Sequence, residues 1–214
     1  MTAEAVPPPA APEREPYPVR LEIERQEKQS RLTNFPLGIG SFIRYVLIIP
    51  NAIVLYLLTI VAEVVYLIAT FAILFTGRYP EGLFNFFVGV NRWSLSVSAY
   101  LLNLNDTYPA FSTEVGKYPA TYSVDYPERL SRVLNFPFFG MLIKAFLAIP
   151  NIVVLYLVFL VAYVLVFIAQ FAILFTGSFP EGMHKFVVGA VRWQARTSAY
   201  LLALTDRYPP FSLS

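Results

Sequence analysis

With 57% apolar and only 14% charged residues, the 214-residue chain departs from soluble globular domains, which run at about 45–50% and about 25%. A formal charge of +2 without a long basic run gives no footing for a nucleic-acid partner. The lack of cysteine excludes disulfides, thiolate metal sites and cysteine nucleophiles.

In chain order, residues 1–16 are Pro/Ala-rich, carry Glu4, Glu13 and Glu15, and lack the basic start and apolar core of a signal peptide. They read as an extended tail, too poor in apolar surface to order itself and suited to lying on a partner. A first membrane module is expected over 17–112. It opens with Val19, Leu21 and Ile23 alternating with Arg20, Glu22 and Glu24, the period-two pattern of a half-buried strand. An apolar leg over 42–49 follows, closed by Pro50, where a kink or break is expected because proline lacks an N–H donor. Arg44 lies in this leg and is expected to snorkel to lipid headgroups. Residues 52–75 then form a 24-residue apolar block interrupted only by Glu63. As a helix the block measures about 36 Å, enough to cover a hydrocarbon core of about 30 Å. After the turn at 76–82 comes a second helix over 83–104, fairly apolar but containing Asn85, Asn91 and Arg92.

The same order then repeats. Phe71-Ala72-Ile73-Leu74-Phe75-Thr76-Gly77 recurs as Phe171-Ala172-Ile173-Leu174-Phe175-Thr176-Gly177, and Arg92-Trp93 as Arg192-Trp193. Asp106, Tyr108-Pro109 and Phe111-Ser112 return as Asp206, Tyr208-Pro209 and Phe211-Ser212, all at an offset of 100. Upstream, Asn34-Phe35-Pro36 matches Asn135-Phe136-Pro137 at 101. A linker over 113–121 and a second module over 122–214 follow from this register. Tyr122-Ser123-Val124-Asp125-Tyr126 stands where the first strand stood, which invites pairing between copies at the membrane surface. Pro150 matches Pro50, Lys144 matches Arg44, and residues 152–175 contain no charge. In the last helix, over 183–204, Phe186, Ala190, Trp193, Thr197, Tyr200 and Leu204 form an apolar face beside a basic stripe of Lys185, Gly189, Arg192 and Arg196.

The helices over 83–104 and 183–204 either return across the bilayer or lie in its interface. If each copy crosses twice, Arg14, Arg20, Arg25, Lys28, Arg31, Lys117, Arg129, Arg132 and Arg207 share one side. The opposite turns then hold Arg78, with Lys185 close by. That asymmetry fits the positive-inside rule and favours four embedded helices with cytoplasmic termini. The expected fold is therefore an all-α integral membrane protein. It is a tandem duplication of a kinked transmembrane helix plus an amphipathic or returning helix, with short β segments at the membrane surface.

Asn-Phe-Pro at 34–36, Phe-Thr-Gly-Arg-Tyr-Pro-Glu-Gly at 75–82, Val-Gly-x-x-Arg-Trp at 88–93 and Thr-Asp-Arg-Tyr-Pro-Pro-Phe-Ser at 205–212 are specific strings. With them the chain resembles a bacterial family known as domain of unknown function 4389, over two copies from about residue 17 to the end. Ser178-Phe179 replaces Arg78-Tyr79 in the second copy, so the basic turn is not general. The resemblance implies a membrane protein and brings no activity with it.

Nothing in the sequence suggests an enzyme: there is no Gly-rich phosphate loop, no paired-histidine motif and no serine elbow. No cofactor is expected. His184, opposite Phe84 in the first copy, reads as a surface or interfacial histidine. Glu63, opposite Tyr163, is a carboxylate within an apolar block and the candidate intramembrane contact, with Arg92 or Arg44 or with another subunit. Arg44, Lys144, Arg92, Trp93, Arg192, Trp193 and Arg196 are candidate lipid-headgroup contacts, since arginine suits phosphate and tryptophan suits the interface. The expected role is a non-enzymatic scaffold or accessory subunit in a bacterial inner membrane, multi-pass, with the lipid bilayer and other membrane-protein subunits or further copies of itself as partners. A small transporter or channel using Glu63 and the Arg92 region is the alternative, and an anionic-lipid-binding surface protein is a further one.

Overall fold

The computed structural model describes residues 16–214, so the tail expected over 1–16 lies, save Pro16, outside the described residues. Each copy contributes a strand, a long helix and a shorter one. The first copy supplies β1 (Val19–Ile23), α1 (Ile39–Thr76) and α2 (Glu81–Leu101); the second supplies β2 (Ala120–Val124), α3 (Phe139–Thr176) and α4 (Glu181–Leu201). The second strand begins at Ala120, two residues before the expected start at Tyr122.

Both long helices run for 38 residues and end at a left-handed glycine. Gly77 (φ 71°) and Gly177 (φ 77°) return their N–H groups to the Ile73 and Ile173 carbonyls, a conformation that a Cβ would strain. Pro80 and Pro180 then hold extended backbone, and Glu81 and Glu181 open α2 and α4, where a carboxylate favours the helix N-terminus.

The expected break at Pro50 and Pro150 is corrected: both prolines sit inside continuous helices. Each loses one backbone hydrogen bond there, but the next residue supplies an anchor. Asn51 and Asn151 are fully buried and donate to the Pro109 and Pro209 carbonyls at 3.2 and 3.0 Å. The stretch is thus held against α2 or α4 from outside the helix ladder.

β1 and β2 pair antiparallel with Leu21 opposite Tyr122 at the centre, Val19 opposite Val124 and Ile23 opposite Ala120. Because Leu21 and Tyr122 are equivalent positions of the two copies, a pseudo-two-fold axis passes between them. The strands are exchanged. β1 packs on α4 of the other copy, and β2 packs on α2. The loops that follow obey the same symmetry: Gln29 N–H donates to the Gly177 carbonyl at 2.8 Å, and Leu130 N–H to the Gly77 carbonyl at 2.9 Å.

The core gathers the inward residues of the sheet, most of the buried face of α2 and α4, and one narrow stripe from each long helix, including Ala69, Ile73, Ala162, Ala169 and Ile173. The rest of α1 and α3 lies outside. Both are long and apolar enough to cross a membrane, by length and composition, yet only 11% and 22% of their most apolar stretches are buried. A core helix of a soluble protein would be mostly covered. The chain is mostly helical, with two long exposed apolar helices and a two-stranded sheet.

Candidate functional site: two buried cation clusters and an apolar outer face

Arg44 has no solvent exposure. Its guanidinium donates to the carbonyls of Thr33 (2.9 Å), Tyr100 (2.7 Å) and Asn105 (2.9 Å), to Asn34 Oδ1 (3.0 Å) and to the Asp106 carboxylate. It also lies 4.5 Å from the centroid of the Tyr100 ring. Asn34 closes the cluster by donating to Asp106 (2.8 Å) and accepting from Asn103 Nδ2 (2.7 Å). One cation thereby ties the start of α1, the end of α2 and the loop after it.

Lys144 does the same in the second copy with less. It is fully buried and pairs with Asp206 at 2.9 Å, donates to the Thr205 carbonyl at 3.3 Å and faces the Tyr200 ring at 5.0 Å. Asn135 donates to Asp206 at 2.9 Å, as its counterpart Asn34 does to Asp106. Snorkelling of Arg44 and Lys144 to headgroups is therefore corrected. An accepting carboxylate and carbonyls inside the protein hold each cation there, so neither needs phosphate.

The two Arg-Trp pairs also turn inward. Trp93 and Trp193, each 4% exposed, donate from Nε1 to Asn51 and Asn151 Oδ1 at 2.7 and 3.0 Å. Arg92 donates to the carbonyls of Tyr122 (3.1 and 3.0 Å) and Thr113 (2.7 Å). Arg192 repeats this on Leu21 (2.9 Å) and Leu213 (3.1 Å). Each arginine thus grips the middle of the exchanged strand from the other copy and the segment after its own helix. Arg196, 8% exposed, sits over the Tyr17 ring at 5.5 Å. The expected headgroup contacts are internal fasteners, because the strand and residues 212–213 engage Arg192 and Arg196 of the basic stripe of α4, while Lys185 stays exposed. Gly89 and Gly189 permit that covering: a Cβ would come within 2.8 Å of Thr113 Cβ and 2.7 Å of the Leu213 carbonyl oxygen.

His184 is 4% exposed, against the surface position expected. It stands edge-on to Phe179 with centroids 5.7 Å apart, as Phe84 stands to Tyr79 at 5.7 Å in the first copy. Burial, joined by the nearby Arg25 charge and opposed by a hydrogen bond to the Leu104 backbone, pushes its imidazole down to about 4. Glu63 is exposed on the outer face of α1, apart from Arg44 and Arg92, whose donors are engaged elsewhere. An apolar crevice of about 490 Å³ lies between the copies, lined by Tyr45, Leu101, Leu155, Tyr156 and Tyr163 among others, with no charged side chain. Among the described residues no group of three or more histidine and carboxylate side chains is placed to hold a metal ion.

Residues 39–113 and 140–212 each match the sequence pattern described as Domain of unknown function (DUF4389), together more than half of the chain. The chain belongs to the DUF4389 family. No curated protein and no solved structure is significantly similar to it. The two DUF4389 matches begin at the first turns of α1 and α3 and take in both cation clusters' acids, Asp106 and Asp206, but leave out both strands. Sequence reasoning passed over Asn34, Asn51 and Asp106 and their counterparts. The signal was present: polar residues repeated in both copies of an apolar chain, with no chemistry to explain them.

Proposed function

We propose that this DUF4389 chain is a non-enzymatic membrane scaffold or accessory subunit, with lipid and other membrane-protein subunits as its partners. The observation that carries the reading is the contrast between its two halves. The buried polar clusters are committed to bonds inside each copy, while α1 and α3 leave large apolar side chains such as Phe42, Tyr56, Leu57, Phe146, Tyr156 and Leu160 uncovered along their length. Apolar surface of that extent marks a membrane or subunit contact.

Glu63 supports a subunit contact more than ion handling. It stands alone on an outer helix face, with no hydrogen bond or ion pair to another described residue, whereas conduction or exchange needs polar groups converging within the protein. Arg92, the other element of a transport reading, donates to the backbone carbonyls of Tyr122 and Thr113. The excess of arginine and lysine around the strands and connecting loops supports a bacterial inner-membrane location with the sheet on the cytoplasmic face. Extraction in mild detergent followed by native mass spectrometry should return the chain within a larger assembly. A strictly monomeric particle with detergent alone would refute the scaffold reading.

A further inference from the structure

The elements stack in a fixed order. The sheet buries Val19, Leu21 and Ile23 against the helices and turns Arg20, Glu22 and Asp125 outward. α2 and α4 form the middle layer; α1 packs on α2 and α3 on α4. Charge lies on one face of this slab and uncovered apolar helix on the other.

Both ends of each long helix lie in the middle layer. Gln29 donates from its backbone to Gly177, just past the end of α3, and from its side chain to the Asn103 carbonyl at 2.7 Å. The next residue, Ser30, donates to Asp106, the partner of Arg44 near the start of α1. At the other end Leu130 donates to Gly77, just past the end of α1, and Ser131 to Asp206, the partner of Lys144 near the start of α3. The end of each long helix thus adjoins the start of the other. With the pseudo-two-fold axis along the membrane normal, the two starts share one depth, so each helix ends at the depth at which it began. An axis in the membrane plane would instead put a charged sheet with two open edges inside the hydrocarbon, where unpaired backbone groups find no water.

Between those ends each long helix lies on the middle layer by one stripe: Ala62, Val65 and Tyr66 of α1 and Leu155, Ala162 and Val166 of α3 face inward. The remaining faces are uncovered and apolar, with Tyr56, Leu57, Tyr156 and Leu160 exposed. A helix of about 10 Å diameter lying along the slab fits within the roughly 15 Å of hydrocarbon in one leaflet.

We infer that α1 and α3 are re-entrant: each enters and leaves the bilayer by the same face, and the protein is held by the acyl chains of one leaflet without crossing. The inference rests on the membrane role proposed above and replaces the multi-pass arrangement expected from helix length. The cysteine-free chain suits a labelling test. Single variants Glu27→Cys and Glu128→Cys (loops before α1 and α3), Arg78→Cys and Glu181→Cys (turns after them) and Val61→Cys (middle of α1) are all at exposed positions. In sealed vesicles of known orientation, a membrane-impermeant maleimide should reach the first four from one and the same side, and Val61→Cys from neither until detergent is added. Labelling of Arg78→Cys and Glu181→Cys only from the side opposite Glu27→Cys and Glu128→Cys would overturn the re-entrant arrangement and leave the membrane role standing. Recovery of the unmodified protein in the aqueous fraction without detergent would overturn the membrane role itself.

Discussion

Removing the carboxylate of Asp206 isolates the second cation cluster. Lys144 is fully buried, and beyond Asp206 at 2.9 Å its ammonium has one carbonyl at 3.3 Å and the Tyr200 ring. Asp206→Ala therefore strands a buried charge and also frees the N–H of Ser131 and the amide of Asn135. Breaking a buried pair from one side costs about 3–5 kcal/mol, because the remaining charge keeps its desolvation penalty without its partner. For a chain of this size that is a fall in Tm of roughly 6–20 °C. The assay is thermal unfolding of the detergent-solubilised protein, with Asp206→Ala compared with Asp206→Ala/Lys144→Met. The double variant should recover most of the loss, since an apolar side chain of similar length removes the stranded charge. A fall of less than about 0.5 kcal/mol in the single variant would mean that water reaches Lys144. An unrescued double variant would place the loss in Ser131 and Asn135 instead. Either result refutes the argument from the buried ammonium.

Two further predictions follow from packing and protonation. Gly189→Ala should destabilise the fold by about 1–3 kcal/mol, because its Cβ meets the Leu213 backbone oxygen at 2.7 Å; Gly182→Ala, helical and with nothing within 4 Å, should hold or slightly raise the melting temperature and serve as the control. His184 has a folded-state pKa of about 4 against about 6.5 when exposed, so the unfolded chain carries the extra proton between those values. Stability should fall as pH drops from about 6.5 to 4, by about 3 kcal/mol at most, and be independent of this residue above that window. His184→Phe, which installs the side chain found at position 84, should flatten that limb of the stability-against-pH curve; an unchanged limb would assign it to other groups.

The coarse plan of the molecule was legible because it is local. The offset between copies, the alternation at Val19–Ile23 and the long apolar runs each lie within a few turns of chain, and the structure returns two copies, a strand in each and two long helices. The destinations of the polar side chains were not legible, because their partners are far away in sequence. Arg44 looks like a snorkelling cation when read among its neighbours Phe42, Tyr45 and Val46. Its carboxylate partner, Asp106, sits beyond the whole of α1 and α2. Trp93 likewise looks interfacial until Asn51 is brought against its indole nitrogen. The second strand started two residues early for a related reason. Its register is set by pairing with β1, which fixes Ala120 opposite Ile23, and a short stretch of sequence does not contain that constraint.

Strand exchange explains why the duplication has to be read as one body. Each copy's strand covers the other copy's shorter helix, and Arg92 and Arg192 find their acceptors at Tyr122 and Leu21, across the pseudo-two-fold axis. A lone copy would keep its Arg44-type cluster, which is built entirely within the copy. It would lose the strand cover over α2, the Tyr122 acceptor of Arg92 and the bond from Leu130 to Gly77. The inward faces of the strands and of α2 and α4 would be left uncovered, so a single copy closes only by meeting another in the same isologous arrangement. The chain is in this sense a two-fold dimer joined by its own backbone. The linker removes the concentration dependence of that dimer, and the copies need not be identical: Arg44 corresponds to Lys144, Phe84 to His184 and Glu63 to Tyr163. The first two changes alter how a copy is held internally. Glu63 alters only the outer face of α1, and it therefore distinguishes that face from the matching face of α3.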